Sequence, residues 1–248
     1  MITIYNWTDY FKEIKPSQEY DVSSLESDGY MILRNHLDVS ELYNLVDVDL
    51  NKLTSGNPVR TKNVLLDYPS KNIVFNQTII DICNCYYGHI PFLSNLNIKR
   101  NFVSRPQITE TLKYHEDPEA NKLIKVFIYL NDVDIDHGPF TYVRGSHKLK
   151  IPNNISKIRW TDNEIEAFYG KDNIHNLTGS AGDVIIADTS GFHKGLHLKE
   201  DQRTMLTLYF LSEQVRIKPH QAEAKMPASM YNELDDNLKP VAYFVERL

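Results

Sequence analysis

Three features of the chain predict an α+β fold with a mainly β core. Two amphipathic helical stretches lie in the first third, β-branched and aromatic runs dominate from residue 93 onward, and turn residues punctuate those runs at short intervals. Helices followed by many short strands fit a β-sandwich or barrel backed by helices on one side. The chain has 248 residues, a length that all-β barrels commonly reach as one domain. The expected organisation is therefore a single domain: residues 1–92 form a mainly helical buttress and 93–212 the core, with 150–176 inserted and 213–248 as a C-terminal extension.

Taken in order, Gly29-Tyr-Met-Ile-Leu-Arg34 is strand-like. A first helix is expected over 39–53 behind Asp38 or Ser40, because Leu42, Leu45, Val46 and Leu50 fall near helical spacing. A second is expected over 77–87 behind Asn76, with Ile79, Ile80, Cys83 and Tyr87 on one side. Strands follow over 93–103, 123–130, 184–187 and 204–211, separated by Gly138-Pro139, Arg144-Gly-Ser146, the stretch 179–182 and Gly191. The segment 150–176 interrupts them with a short helix over 162–169, capped by Thr161 or Asp162. It is either a lid or a support packed on the barrel edge.

Composition narrows the function. A net charge of −6 argues against nucleic acid as a partner, since phosphate binding needs a cationic surface. No apolar run approaches the roughly eighteen residues that span a bilayer, and the first residues lack a basic then apolar leader pattern, which reads as cytoplasmic. The two cysteines, Cys83 and Cys85, are too close for a structural disulfide and too few for a closed zinc site, so reduced thiols on or near a helix are expected.

Nine histidines and 33 acidic residues make about one His-x-acid match expected by chance, so context must decide. His36-Leu-Asp38 sits where a strand enters a helix, and there Asp38 has a sufficient role as a cap. His115-Glu-Asp117 opens the strand-rich region. On extended backbone His115 and Asp117 share a face while Glu116 points away. His193, between strand-like segments, can supply a third ligand. Two neutral imidazoles and one carboxylate on one face of an octahedral ion suit Fe(II) and leave positions open for a cosubstrate and oxygen. Arg203, on the strand after His193, offers a planar fork for the far carboxylate of 2-oxoglutarate. The plainer alternative for Arg203 is a surface ion pair with Glu200 or Asp201.

An ordered series of motifs carries a resemblance. Tyr114-His-Glu-Asp117, Val126-Phe-Ile-Tyr-Leu-Asn-Asp-Val133, Gly138-Pro-Phe140, Val143-Arg-Gly-Ser-His-Lys148, Gly182-Asp-Val184, Phe192-His193 and Arg203 together resemble the phytanoyl-CoA dioxygenase family of Fe(II)/2-oxoglutarate oxygenases. The resemblance covers roughly residues 28 to 211. It implies a double-stranded β-helix (jelly-roll, cupin-like) with His115, Asp117 and His193 as iron ligands and Arg203 as the 2-oxoglutarate anchor. His197 is the rival to His193, but it lies too close to Arg203 for the family's usual spacing. His147 is expected to be structural, since the family uses the Gly-Ser-His-Lys turn to hold strands.

Arg144, His137 and Lys194-Gly195 depart from the family pattern. The last removes a hydroxyl that often follows the distal histidine, and leaves Thr207 or Tyr129 to assist the 2-oxoglutarate tail.

The implied reaction consumes Fe(II)-bound 2-oxoglutarate and O2 and releases succinate and CO2, with hydroxylation of an unactivated C–H bond of a small molecule as the default outcome. Asp117 argues against halogenation, because related halogenases lack that carboxylate. An anionic substrate is favoured if Lys99, Arg100, Arg105 or Lys113 point into the pocket; solvent-facing charges are the alternative. Tyr231, Tyr243 and Phe244 are expected in ordinary packing. A 2-oxoglutarate-independent, cupin-like metalloenzyme and a non-catalytic ligand-binding barrel are the competing functions; Arg203 speaks against the first and the intact triad against the second. Oligomeric state has no signature in the sequence.

Overall fold

Alternation along Leu123-Ile-Lys-Val-Phe-Ile-Tyr129 fixes the layering. Ile124, Val126 and Ile128 join one hydrophobic cluster, packed under helices, while Phe127 and Tyr129 join a second inside the barrel. A strand covered on both faces reads as a continuous apolar run, and every residue of this one is buried. The computed structural model describes residues 14–40, 59–61, 68–103, 112–117, 122–152, 157–212, 224–243 and 245–248.

In chain order the described elements are α1 (Ser23–Asp28), β1 (Tyr30–Leu33), β2 (Val59–Thr61), α2 (Tyr68–Val74), α3 (Gln77–Tyr87), β3 (Phe92–Phe102), β4 (Leu123–Tyr129), β5 (Phe140–Val143), α4 (Asp162–Tyr169), β6 (Ile174–Leu177), β7 (Val184–Asp188), β8 (His193–Gly195), β9 (Gln202–Leu211), β10 (Lys225–Met226), α5 (Ala228–Asn232) and β11 (Glu246–Arg247). The major sheet runs β1-β7-β4-β9-β3-β2 and the minor sheet β6-β5-β8. All pairings within these two sheets are antiparallel. Backbone bridges from His115 to His193 and from Tyr114 to Trp160 extend the minor sheet beyond β8. Two facing antiparallel sheets with the minor one completed by the His115 segment are the plan of a double-stranded β-helix, as expected.

Helix α3 starts where its cap predicts. Asn76 accepts a hydrogen bond from the Ile79 amide at 3.2 Å, and Gly88 closes the helix in the left-handed conformation. The helix is buried more fully than an amphipathic reading implies: Asp81, Ile82, Asn84 and Tyr86 are buried beside Ile79, Ile80 and Cys83. The polar members have partners, since Asp81 accepts from the Ser17 and Gln18 amides at 3.0 and 3.1 Å, and Asn84 donates to the Ile14 carbonyl at 3.1 Å. The N-terminal segment thus lies across the outer side of the helix.

The expected helix over 39–53 falls mostly outside the described residues; within them Asp38 accepts from the Ser40 amide at 2.7 Å. The buttress also contributes strands, with β1 and β2 at opposite edges of the major sheet. Residues of 224–245 pack into the same outer cluster through Met226, Met230, Leu234 and Val241. Tyr231 lies under Arg247 at 3.6 Å, Tyr243 is partly exposed, and Phe244 falls outside the described residues. Cys83 and Cys85 are free thiols. Among the described residues no helix is long and apolar enough to cross a membrane.

Candidate metal centre

His115 and His193 face each other as a hydrogen-bonded antiparallel pair, each amide donating to the other's carbonyl at 3.0 Å. Opposed residues in such a pair project to the same face, so the two rings meet inside the barrel with centroids 4.3 Å apart. Asp117 follows two residues later on the same face, its amide held by the Thr189 carbonyl at 2.9 Å. Glu116 points away, 2.5 Å from the Lys150 ammonium. One ligand atom from each of His115, Asp117 and His193 lies within 4.8 Å of the others.

Both rings are oriented through the backbone. Nδ1 of His115 is 3.0 Å from the Lys113 carbonyl, and Nδ1 of His193 is 2.9 Å from the Gly191 carbonyl. A carbonyl only accepts, so Nδ1 carries the proton and Nε2 keeps its lone pair for a metal. Burial lowers the pKa of both imidazoles, which keeps them neutral. Burial opposes the charge on Asp117, but His193, cationic in the acid range where the carboxyl titrates, and the Lys125 ammonium outweigh it and hold the carboxyl below the ordinary aspartate range. The donor set fits a divalent cation of the Fe(II) type.

The approach to His193 is tightly built. Asp188 accepts from the Tyr86 hydroxyl at 2.6 Å and the Ser190 amide at 3.0 Å, while Tyr142 donates to the Asp188 carbonyl at 2.7 Å. Ser146, in the Gly-Ser-His-Lys turn, accepts from the Phe192 amide at 2.7 Å. A Cβ on Gly191 would collide with the Tyr142 hydroxyl, which explains a glycine there. On the outer side Trp160, Ile165 and Tyr169 pack with Tyr114, Val143 and Phe192. Helix α4 begins at a complete capping box between Thr161 and Glu164. Lys194 reaches Asp162 at 2.5 Å over the Tyr114 ring, tying α4 to the strand that carries His193.

A cavity of about 110 Å³ opens beside the two histidines, lined by Asn97, Lys99, Lys125, Phe127, Phe140, Arg203, Met205 and Thr207 among others. Arg203 is buried at 4% exposure, and only its Nη2 has a partner among the described residues, Asn101 Oδ1 at 3.3 Å. Its Nε and Nη1 are buried and unsatisfied among those residues. The surface ion pair with Glu200 or Asp201 is not formed. An unsatisfied buried guanidinium facing a cavity fits a carboxylate ligand.

Of the two hydroxyl candidates, Thr207 lines the cavity. Tyr129 does not: its hydroxyl donates to the Leu177 carbonyl at 2.7 Å and accepts from the Phe140 amide at 3.0 Å. His197 is exposed and stands apart from the triad. His147 contacts the Glu26 carbonyl, His36 the Asn76 side chain and His137 Asp134. Among the basic residues before His115, Lys99 lines the cavity, Arg100 turns to Thr204 at 3.0 Å, and Arg105 lies outside the described residues. Lys113 contributes its carbonyl to His115.

Among the site residues that were not anticipated, one is charged and meets a proposed ligand. Lys125 stands 2.6 Å from Asp117 Oδ2 and 4.4 Å from the Tyr209 ring centroid. Its signal was present in the sequence, as a lysine at an inward-facing position of an apolar strand.

Residues 109–203 match the model of the family described as phytanoyl-CoA dioxygenase (PhyH). Among curated proteins no sequence match is found. Several solved structures share the fold. The epimerase SnoN, solved in complex with Fe3+, alpha ketoglutarate and nogalamycin RO, is 16% identical with a TM-score of 0.59, over 77% of this chain and 82% of that one. AviO1 from Streptomyces viridochromogenes Tue57 is 12% identical with a TM-score of 0.58, over 78% and 94%. HygX from Streptomyces hygroscopicus, solved with nickel and 2-oxoglutarate, is 15% identical with a TM-score of 0.55, over 76% and 85%. At these identities the likeness is one of fold.

Proposed function

We propose that this chain, a member of the phytanoyl-CoA dioxygenase family, is a non-haem Fe(II)- and 2-oxoglutarate-dependent oxygenase that hydroxylates a C–H bond of a small molecule. The observation that carries the reading is Arg203. A His-Asp-His cluster alone suits several metalloenzymes, whereas a buried guanidinium with unsatisfied N–H groups in the same cavity calls for a carboxylate. Similarity of fold to SnoN and HygX, whose structures hold iron or nickel with alpha ketoglutarate or 2-oxoglutarate, supports the same pair here. Nogalamycin RO and hygromycin B in such structures support a small-molecule substrate.

In this reading Nε2 of His115, Nε2 of His193 and a carboxylate oxygen of Asp117 hold the metal. The Lys113 and Gly191 carbonyls fix the rings. Arg203 pairs with the cosubstrate carboxylate remote from the metal, and Thr207 lies on the same cavity wall to donate its hydroxyl. Phe127, Phe140 and Met205 exclude water from one side. When bound, the metal would activate O2, the oxidant: 2-oxoglutarate would supply two electrons and take one oxygen atom as it gives succinate and CO2, and the substrate C–H bond would supply the other two and take the second oxygen atom. A 2-oxoglutarate-independent metalloenzyme has no use for Arg203, and a binding barrel none for three converging ligands.

Anaerobic titration of the purified chain with Fe(II) and 2-oxoglutarate tests this directly. The expected result is the weak visible charge-transfer band of the metal chelate, diminished in Asp117→Ala and in Arg203→Ala. A folded, metal-loaded protein that shows no band overturns the cosubstrate assignment.

A further inference from the structure

Lys125 places an ammonium inside the barrel from a strand that is otherwise apolar. Its side chain is 10% exposed, and so nearly is that of Asp117, at 11%, the carboxylate it meets at 2.6 Å. Lys125 lines the cavity together with His115, His193 and Arg203. A buried ammonium needs a counter-charge. Here the counter-charge is Asp117 Oδ2, the same oxygen that lies 3.5 Å from His193 Nε2.

A divalent ion that takes Asp117 would set two positive charges beside that ammonium, at a separation where buried charges interact strongly. Asp117 offsets one of them, so the centre is left electropositive, with Arg203 adding to the imbalance. An anion entering the cavity relieves it, and 2-oxoglutarate carries two carboxylates. Arg203 is suited to one. The ammonium released by Asp117 is suited to the other, the carboxylate next to the keto group.

Resting on the iron and 2-oxoglutarate reading of the site, we propose that Lys125 is a cosubstrate-binding residue. It neutralises Asp117 in the metal-free chain and passes its ammonium to the keto-acid carboxylate of 2-oxoglutarate once the metal holds the aspartate. Metal and cosubstrate binding, already coupled by direct chelation, are then coupled further through one side chain. Linkage makes the coupling reciprocal, so each ligand tightens the other by the same factor.

The test uses the full chain stripped of metal, with Mn(II) as the probe and its dissociation constant measured by calorimetry with and without 2-oxoglutarate. In the wild type 2-oxoglutarate should tighten Mn(II) binding by about tenfold or more, within the usual range of coupling between sites. Lys125→Met should bind Mn(II) alone at least as tightly as the wild type, because a competing cation is gone, and should show clearly less cosubstrate-dependent tightening than the wild type, keeping only the part that chelation supplies. Lys125→Arg should restore much of it. Lys125→Gln carries the same test if circular dichroism shows that the methionine variant does not fold. A folded neutral variant that binds Mn(II) more weakly, yet keeps the wild-type tightening, overturns the proposal and makes Lys125 a mere aligner of Asp117. A wild type that binds Mn(II) but not 2-oxoglutarate overturns the reading of the site itself, an outcome distinct from failure of Lys125 alone.

Discussion

A guanidinium carries five N–H donors and stays charged at any ordinary pH, so burying one with most donors unsatisfied is costly unless a ligand completes it. Arg203 is in that position, with Asn101 its sole hydrogen-bonded side chain among the described residues. A bidentate, charge-assisted pair contributes roughly 1.5–3 kcal/mol. Arg203→Ala should therefore weaken 2-oxoglutarate binding by about one to two orders of magnitude, and Arg203→Lys should recover only part, because a point charge lacks the fork. Equal affinity in wild type and Arg203→Ala, measured by calorimetry on Mn(II)-loaded protein, would remove Arg203 from the cosubstrate site. At this scale the shared face of His115 and Asp117 was readable, because alternation on extended backbone settles it, whereas His193 over His197 and the placing of Arg203 leaned on the family resemblance; the three proposed ligands do converge. Lys125 was not readable. A lone lysine in an apolar run becomes meaningful only once Asp117, on a segment that does not pair with β4, is seen beside it.

Helix α4 and the turn before His193 show what is decided by elements rather than single residues. The cap at Thr161 and the span to Tyr169 follow from local sequence. What the helix packs against does not: Ile165 and Tyr169 reach Phe192, the neighbour of a proposed ligand, through contacts invisible to periodicity. The described part of 150–176 packs against Tyr114, Val143 and Phe192, and its last residues pair with β5 as β6. Thr161→Ala removes the side chain that accepts from the Glu164 amide and should cost about 1 kcal/mol of local stability. Hydrogen exchange is the measurement: amides of residues 165–170 should lose protection while those of β4 and β9 keep theirs. Loss of protection spread evenly through the barrel would show that α4 and the barrel open as one unit. Helix α3 teaches a complementary lesson, since its cap and length were legible, while its burial on nearly all sides depends on residues 14–18 lying over it.

Over the whole molecule, the α+β plan was readable from the switch of periodicity near residue 93, but the strand order within the two sheets was not, because it depends on pairings between distant segments. Asp183 makes one of the long ties, accepting from the Asn35 amide at 2.7 Å and pairing with Arg34 at 2.6 Å. Burial opposes its charge, yet the Asn35 amide and the Arg34 guanidinium outweigh that and lower its pKa. A carboxyl depressed in the folded state contributes stability above its unfolded pKa, and that contribution is lost as pH falls through the folded value. Thermal melts of metal-free protein should therefore show Asp183→Asn well below the wild type at pH near 5, with the gap closing on acidification below the ordinary aspartate range; a gap independent of pH would contradict the assignment. The reciprocal backbone bonds between His115 and His193 carry a consequence of another kind. Their partners are separated by most of the core sequence, so the grip on an ion comes into being only when the last strands have joined the first. Under the proposed ligand set, a nascent chain lacking residue 193 would hold two of the three metal ligands, so tight metal binding would wait on the pairing of two segments made far apart in time.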